Sequence, residues 1–96
     1  MELIMTLQQS LFPLGKMVIT PSALDLLNPV DVYYSLRRHT CGDWGILCPE
    51  DVAENELALK KGFRLFSVYR DRIGTKFYII TEADRSVTTI LLPADY

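Results

Sequence analysis

The chain is poor in cysteine: Cys41 and Cys48 are the only two in 96 residues. Two are too few to staple a small secreted scaffold. No run of about 20 apolar residues exists, so no membrane-spanning helix is expected. A secretory signal is not expected either, because Met1-Glu2-Leu3-Ile4-Met5-Thr6-Leu7 carries an acid and is broken by Gln8 and Gln9. A basic excess is also missing. Ten Lys and Arg stand against twelve Asp and Glu, a net charge of −2, which counts against a dedicated DNA-coating protein. A local cluster of Arg can still serve one or two phosphates. There is no internal repeat, low-complexity tract or long linker. These absences predict a soluble cytoplasmic protein without a membrane partner.

Hydrophobic residues make up 49% and charged residues 23%, a balance that predicts a packed globule rather than a disordered chain. A chain of this length buries a modest core, so a second copy or a partner could add to it. The organising stretch is 63–96. Three β-rich runs, Phe63–Arg70, Lys76–Thr81 and Ser86–Leu92, are separated by polar turns through Gly74 and through Glu82-Ala83-Asp84-Arg85. They read as an antiparallel meander. Both faces of the first two runs are partly apolar, so helices are expected on one face. The N-terminal arm or a second subunit is expected on part of the other.

Upstream, residues 1–13 read as an arm or an edge strand, and Leu14–Thr20 as a short strand. Thr20-Pro21 and Asn28-Pro29 are helix starts, a capping side chain followed by a proline whose missing N–H has no helical partner. Val32, Leu36 and His39 share one face of the second helix, and Arg37 and Arg38 sit near its C-terminal end. Gly42-Asp43-Trp44-Gly45 predicts a tight backbone path. Pro49-Glu50-Asp51 starts a third helix and Gly62 ends it. Its apolar face is expected to hold Val52, Ala53, Leu57 and Leu59, with Glu54, Asn55 and Glu56 on the wet side. The expected fold is α+β: two to three helices packed on a three- to four-stranded antiparallel β-meander, with 14–96 as one domain.

Several residues could carry chemistry. His39, the only histidine, is either an acid–base group near neutral pH or a helix cap with a buried hydrogen bond. His39, Cys41, Asp43 and Cys48 lack the short spacing of common zinc sites and read better as two buried thiols, with no metal or cofactor implied. Asp43 and Trp44 form either a stacking platform for a ring or a packed tryptophan beside a turn cap. Thr81, Asp84, Arg85, Thr88 and Thr89 make either a phosphate-holding patch or a hairpin in which Asp84 and Ser86 bond the local backbone. Arg64 and Arg70 share a strand face and serve either phosphates or edge protection.

Gly42-Asp43-Trp44-Gly45, with Ile80–Thr89 (Ile-Thr-Glu-Ala-Asp-Arg-Ser-Val-Thr-Thr) and Leu91-Leu92-Pro93-Ala94-Asp95-Tyr96, resembles a family of small proteins of bacterial plasmids and integrative elements. The likeness covers 14–96 and implies membership without a particular activity. The layout also resembles the barnase–EndoU–colicin–RelE-like ribonucleases: a helix ending in Arg-His, another helix, then a meander with a Thr-rich last strand. That resemblance implies metal-free RNA cleavage. His39 would be the acid–base group, Arg70 or Arg85 the phosphate clamp, and Thr88 or Thr89 the hydroxyl. The two functional expectations are a ribonuclease-like or RNA- or nucleotide-binding domain, and a non-catalytic accessory that binds another protein through its sheet face or acidic helix. A homodimer through the sheet face or the arm is a further expectation.

Overall fold

Proline sets the start of every helix among the described residues. A computed structural model describes residues 10–96; most of the expected arm lies outside them. Within them run β1 (Lys16–Ile19), α1 (Pro21–Leu26), α2 (Pro29–Thr40), α3 (Pro49–Lys61), β2 (Leu65–Arg70), β3 (Lys76–Thr81), β4 (Val87–Leu91) and a short 3-10 turn (Pro93–Asp95). The Thr20 hydroxyl accepts from the Ala23 N–H, and the Asn28 side chain accepts from the N–H groups of Val30 and Asp31. Each cap satisfies donors that the first helical turn leaves open. Gly62 ends α3 at φ 76°, the left-handed conformation expected of a C-terminal glycine.

The described residues fold as α+β, three helices with a four-stranded sheet in the order β1-β4-β3-β2. β2, β3 and β4 form the expected antiparallel meander. The sheet as a whole is mixed, because β1 pairs parallel to β4, Lys16 opposite Val87 through Ile19 opposite Ile90. Parallel neighbours require a crossover connection, and here the helical layer and the first two meander strands intervene.

Strand periodicity divides the side chains. Leu65, Ser67 and Tyr69 of β2, Phe77, Ile79 and Thr81 of β3, and Thr88 and Ile90 of β4 face the helices, and all are buried. One core cluster joins Ala23, Leu27, Val32 and Leu36 to Tyr69, Phe77, Ile79 and Ile90. A second joins Phe12, Trp44, Ala58 and Leu65. Ser67 lies between the two along β2.

The α3 face differs from the expected one. Asn55 and Ala58 are buried, while Ala53 and Leu57 are exposed. The cause is an edge problem. β2 is an outer strand, and its unpaired backbone groups need partners. Asn55 Nδ2 donates to Phe66 O at 2.6 Å, and Phe66 N donates to Asn55 Oδ1 at 3.1 Å, so one amide stands in for a neighbouring strand. Two residues on, Val68 N donates to Trp44 O and Ile46 N donates to Val68 O. Gly45 makes this possible at φ 77°; a Cβ there would stand 1.9 Å from Val68 O.

Candidate functional site

His39 sits at the centre of a buried polar chain. It is 0% exposed. Its Nδ1 lies 2.6 Å from Ser67 Oγ and its Nε2 2.8 Å from Thr81 Oγ1. Thr81 Oγ1 lies 2.8 Å from Thr88 Oγ1, and Thr88 donates to Leu14 O at 2.7 Å. A hydroxyl has one proton, so the direction of every bond follows from that last carbonyl. Thr88 gives its proton to Leu14, so it accepts from Thr81. Thr81 therefore accepts from His39 Nε2–H, and Nδ1 accepts from Ser67. Neutral imidazole with its proton on Nε2 completes the chain. Burial, and then the positive charge of Arg85, push the His39 pKa down to about 3. The rings of Phe12 and Trp44 pack edge-on against the imidazole at 5.3 and 5.7 Å.

The structure thus brings His39, Thr81 and Thr88 together, inside the protein rather than at a cleft. Of the two alternatives read from the sequence at His39, the buried hydrogen bond is the one observed. Arg85, with φ 62°, is committed to backbone. Nη1 donates to Phe63 O at 2.6 Å and lies within 3.3 Å of Glu82 O and Ala83 O; Nη2 donates to Ala58 O. The guanidinium also lies over the Phe12 ring, 5.6 Å from its centre. It staples the C-terminal end of α3 to the β3–β4 turn. In that turn Asp84 Oδ1 accepts from Ser86 N and Oγ, which is the hairpin arrangement.

Trp44 is buried, and its Nε1 donates to Glu56 at 2.9 Å. Asp43 accepts from Gly45 N and takes a two-pronged bond from Arg38, which holds its carboxyl below the usual carboxylate range. Both therefore fill the packing and turn-capping roles. The thiols depart from the buried expectation: Cys41 is half-buried and Cys48 exposed, because Cys48 is the N-cap of α3 and its side chain makes no capping bond. Among the described residues no group of three or more His, Cys, Asp or Glu is placed to hold a metal ion. No helix among them is long and apolar enough to cross a membrane.

Arg70 and Thr89 lie on the other side of the sheet. Register places Arg70 opposite Lys76, Val68 opposite Tyr78, Phe66 and Thr89 opposite Ile80, and Val18 opposite Thr89. Paired residues share a face, so this outer face carries Arg70, Lys76 and Lys16 and no acid on any of its four strands. Its aromatic centre is Phe66 and Tyr78, ring centres 4.8 Å apart, with Tyr96 edge-on to both at 6.2 and 6.1 Å. Tyr96 is 69% exposed. Arg64 covers its ring at 5.6 Å and donates to its hydroxyl at 3.0 Å. The sequence signalled Arg64 and Arg70 by their shared parity. Tyr78 carried the same parity, but Tyr96 reaches the face only through the 3-10 turn, which packs against β3.

Comparison with protein-family models, curated proteins and solved structures finds no match.

Proposed function

We propose that this chain binds single-stranded RNA or nucleotides on the outer face of its sheet and does not cut them. The observation that carries the reading is the composition of that face: three aromatic rings in tilted and edge-on contact, bordered by Arg64, Arg70 and Lys76, with no carboxylate on the strands. Aromatic rings stack with bases of any sequence, and flanking cations take the phosphates. Arg64, just before β2, and Arg70 at its end are six residues apart, a track of about 20 Å. Binding without cleavage follows from His39, whose two nitrogens are engaged in the core, out of hydrogen-bond reach of a ligand on this face. A setting on a mobile genetic element and in the cytoplasm belongs to the same proposal and rests on the sequence alone.

The test is fluorescence anisotropy with a labelled single-stranded oligouridylate, with the same RNA run on a denaturing gel afterwards. Saturable, salt-sensitive binding with intact RNA is expected. Tyr78→Ala should weaken it by about tenfold, since base–aromatic stacking contributes roughly 1–3 kcal/mol per base. Arg70→Glu with Lys76→Glu should weaken it and flatten the salt dependence. Cleaved RNA would restore the ribonuclease reading. No binding, or binding indifferent to all three substitutions, would remove the sheet face as the site. Light scattering on the same sample distinguishes a second copy seated on that face.

A further inference from the structure

A groove of about 590 Å³ runs beside α3 along the edge of β2. Its floor is apolar, with Leu47, Phe63 and Phe66, and its wall is acidic, with Glu50, Asp51 and Glu54. We infer that this groove docks a short basic segment of another protein, seated by one apolar side chain against Phe63.

Four observations select that occupant. Phe63, in the groove's lining, is 54% exposed, a large ring left without cover. The three carboxylates have no cation paired with them among the described residues. The groove's own cation, Arg64, is turned away onto the ring and hydroxyl of Tyr96. The helix dipole accounts for Glu50 and Asp51 in the first turn of α3 but not for Glu54, which stands beyond it. The neighbouring strand edge is closed by Asn55 and by Trp44–Ile46. An arriving segment therefore cannot add a strand there and must bind through its side chains, which is where a cationic sequence with an apolar anchor is selected. This inference does not rest on the nucleic-acid reading: the two surfaces share Arg64 and Phe66 at their border, but the acid wall and Phe63 are not on the sheet face.

The test uses the full chain and a short fluorescein-labelled lysine-rich peptide with one central leucine. Two controls carry serine in place of that leucine, or glutamates in place of the lysines. Saturable binding is expected, with amide NMR shifts concentrated at Leu47, Asn55 and Phe63. Asp51→Lys with Glu54→Lys should weaken binding by at least about tenfold, because like charges across an interface are strongly disfavoured. The serine peptide should also bind about tenfold more weakly, having lost one buried aliphatic side chain. Phe63→Ser should reproduce the effect of the serine peptide while leaving RNA binding unchanged. Equal binding of the leucine and serine peptides would mean that only bulk charge is at work and would overturn the inference. So would preference for the acidic peptide, shifts centred elsewhere, or no saturable binding.

Discussion

Above the carboxylate range, acidification should destabilise this protein chiefly through one residue, and the effect can be followed at that residue. His39 has a folded pKa of about 3, against an ordinary histidine value near 6.5. Between those values the unfolded chain binds a proton that the folded chain refuses, so stability is complete above about pH 6.5 and falls as the pH drops toward 3. The slope from this group is about 1.4 kcal/mol per pH unit. Relative to neutral pH, the loss is about 2 kcal/mol at pH 5 and about 3 kcal/mol at pH 4. A small domain holds roughly 5–15 kcal/mol in total, so the change is large. Because the sequence holds a single histidine, its imidazole signals are unambiguous in NMR. While the protein stays folded they should not titrate near pH 6.5, and the ring nitrogen shifts should report the Nε2–H tautomer required by the chain that ends on Leu14 O. Urea melts across the same range should show the slope in the wild type and a flatter one in His39→Gln, which can still bridge Ser67 and Thr81 without titrating. A folded-state midpoint at or above 6, or an Nδ1–H tautomer, would refute the buried, directed chain.

Three other perturbations follow from the geometry. Asn55→Leu leaves Phe66 N–H and C=O without their partner and should cost about 2–5 kcal/mol in urea unfolding; it should also produce concentration-dependent self-association in size-exclusion chromatography, because the edge of β2 is opened. Gly45→Ala places a Cβ against Val68 O and the Tyr69 ring and should prevent folding or cost several kcal/mol, whereas Gly74→Ala, with nothing within 4 Å, should cost only about 1 kcal/mol in the same melt. Arg85→Gln removes the staple between Ala58, Phe63 and the β3–β4 turn and should lower the melting temperature; it should also raise the His39 pKa, since the Arg85 charge is one cause of its depression.

Helix starts, the meander and the Gly45 turn were legible because each depends on local chemistry. A capping side chain before proline, alternation at period two, and glycine at positive φ announce themselves within a few residues. The long-range pairings were not legible. Nothing near Lys16–Ile19 says that it will lie parallel to β4, since its pairing is set by where the helical layer delivers the chain. Asn55 reads as a wet helix residue until one knows that an open strand edge passes beside it. The Thr81–Thr88 hydroxyls and Arg85 drew attention as a polar cluster beyond the needs of a hairpin, and that excess is present. Its partners are His39, Leu14 O and the backbone carbonyls around α3, all brought in from distant sequence.

Net charge misleads here because the molecule sorts its charges. The chain is acidic by two, yet the outer-facing positions of β1–β4 include Lys16, Arg70 and Lys76 and no carboxylate. The free acids of the groove stand on α3, at one margin of that face. At physiological ionic strength charges beyond about 8 Å are largely screened, so an approaching ligand responds to the nearest face and not to the sum. On the proposed reading, a nucleic-acid strand would be drawn to the aromatic centre and repelled from the α3 margin. A basic peptide would meet the opposite pattern and be repelled from the sheet by the same lysines and arginines. The two proposed surfaces therefore differ in charge although they adjoin, with Arg64 and Phe66 on the border between them.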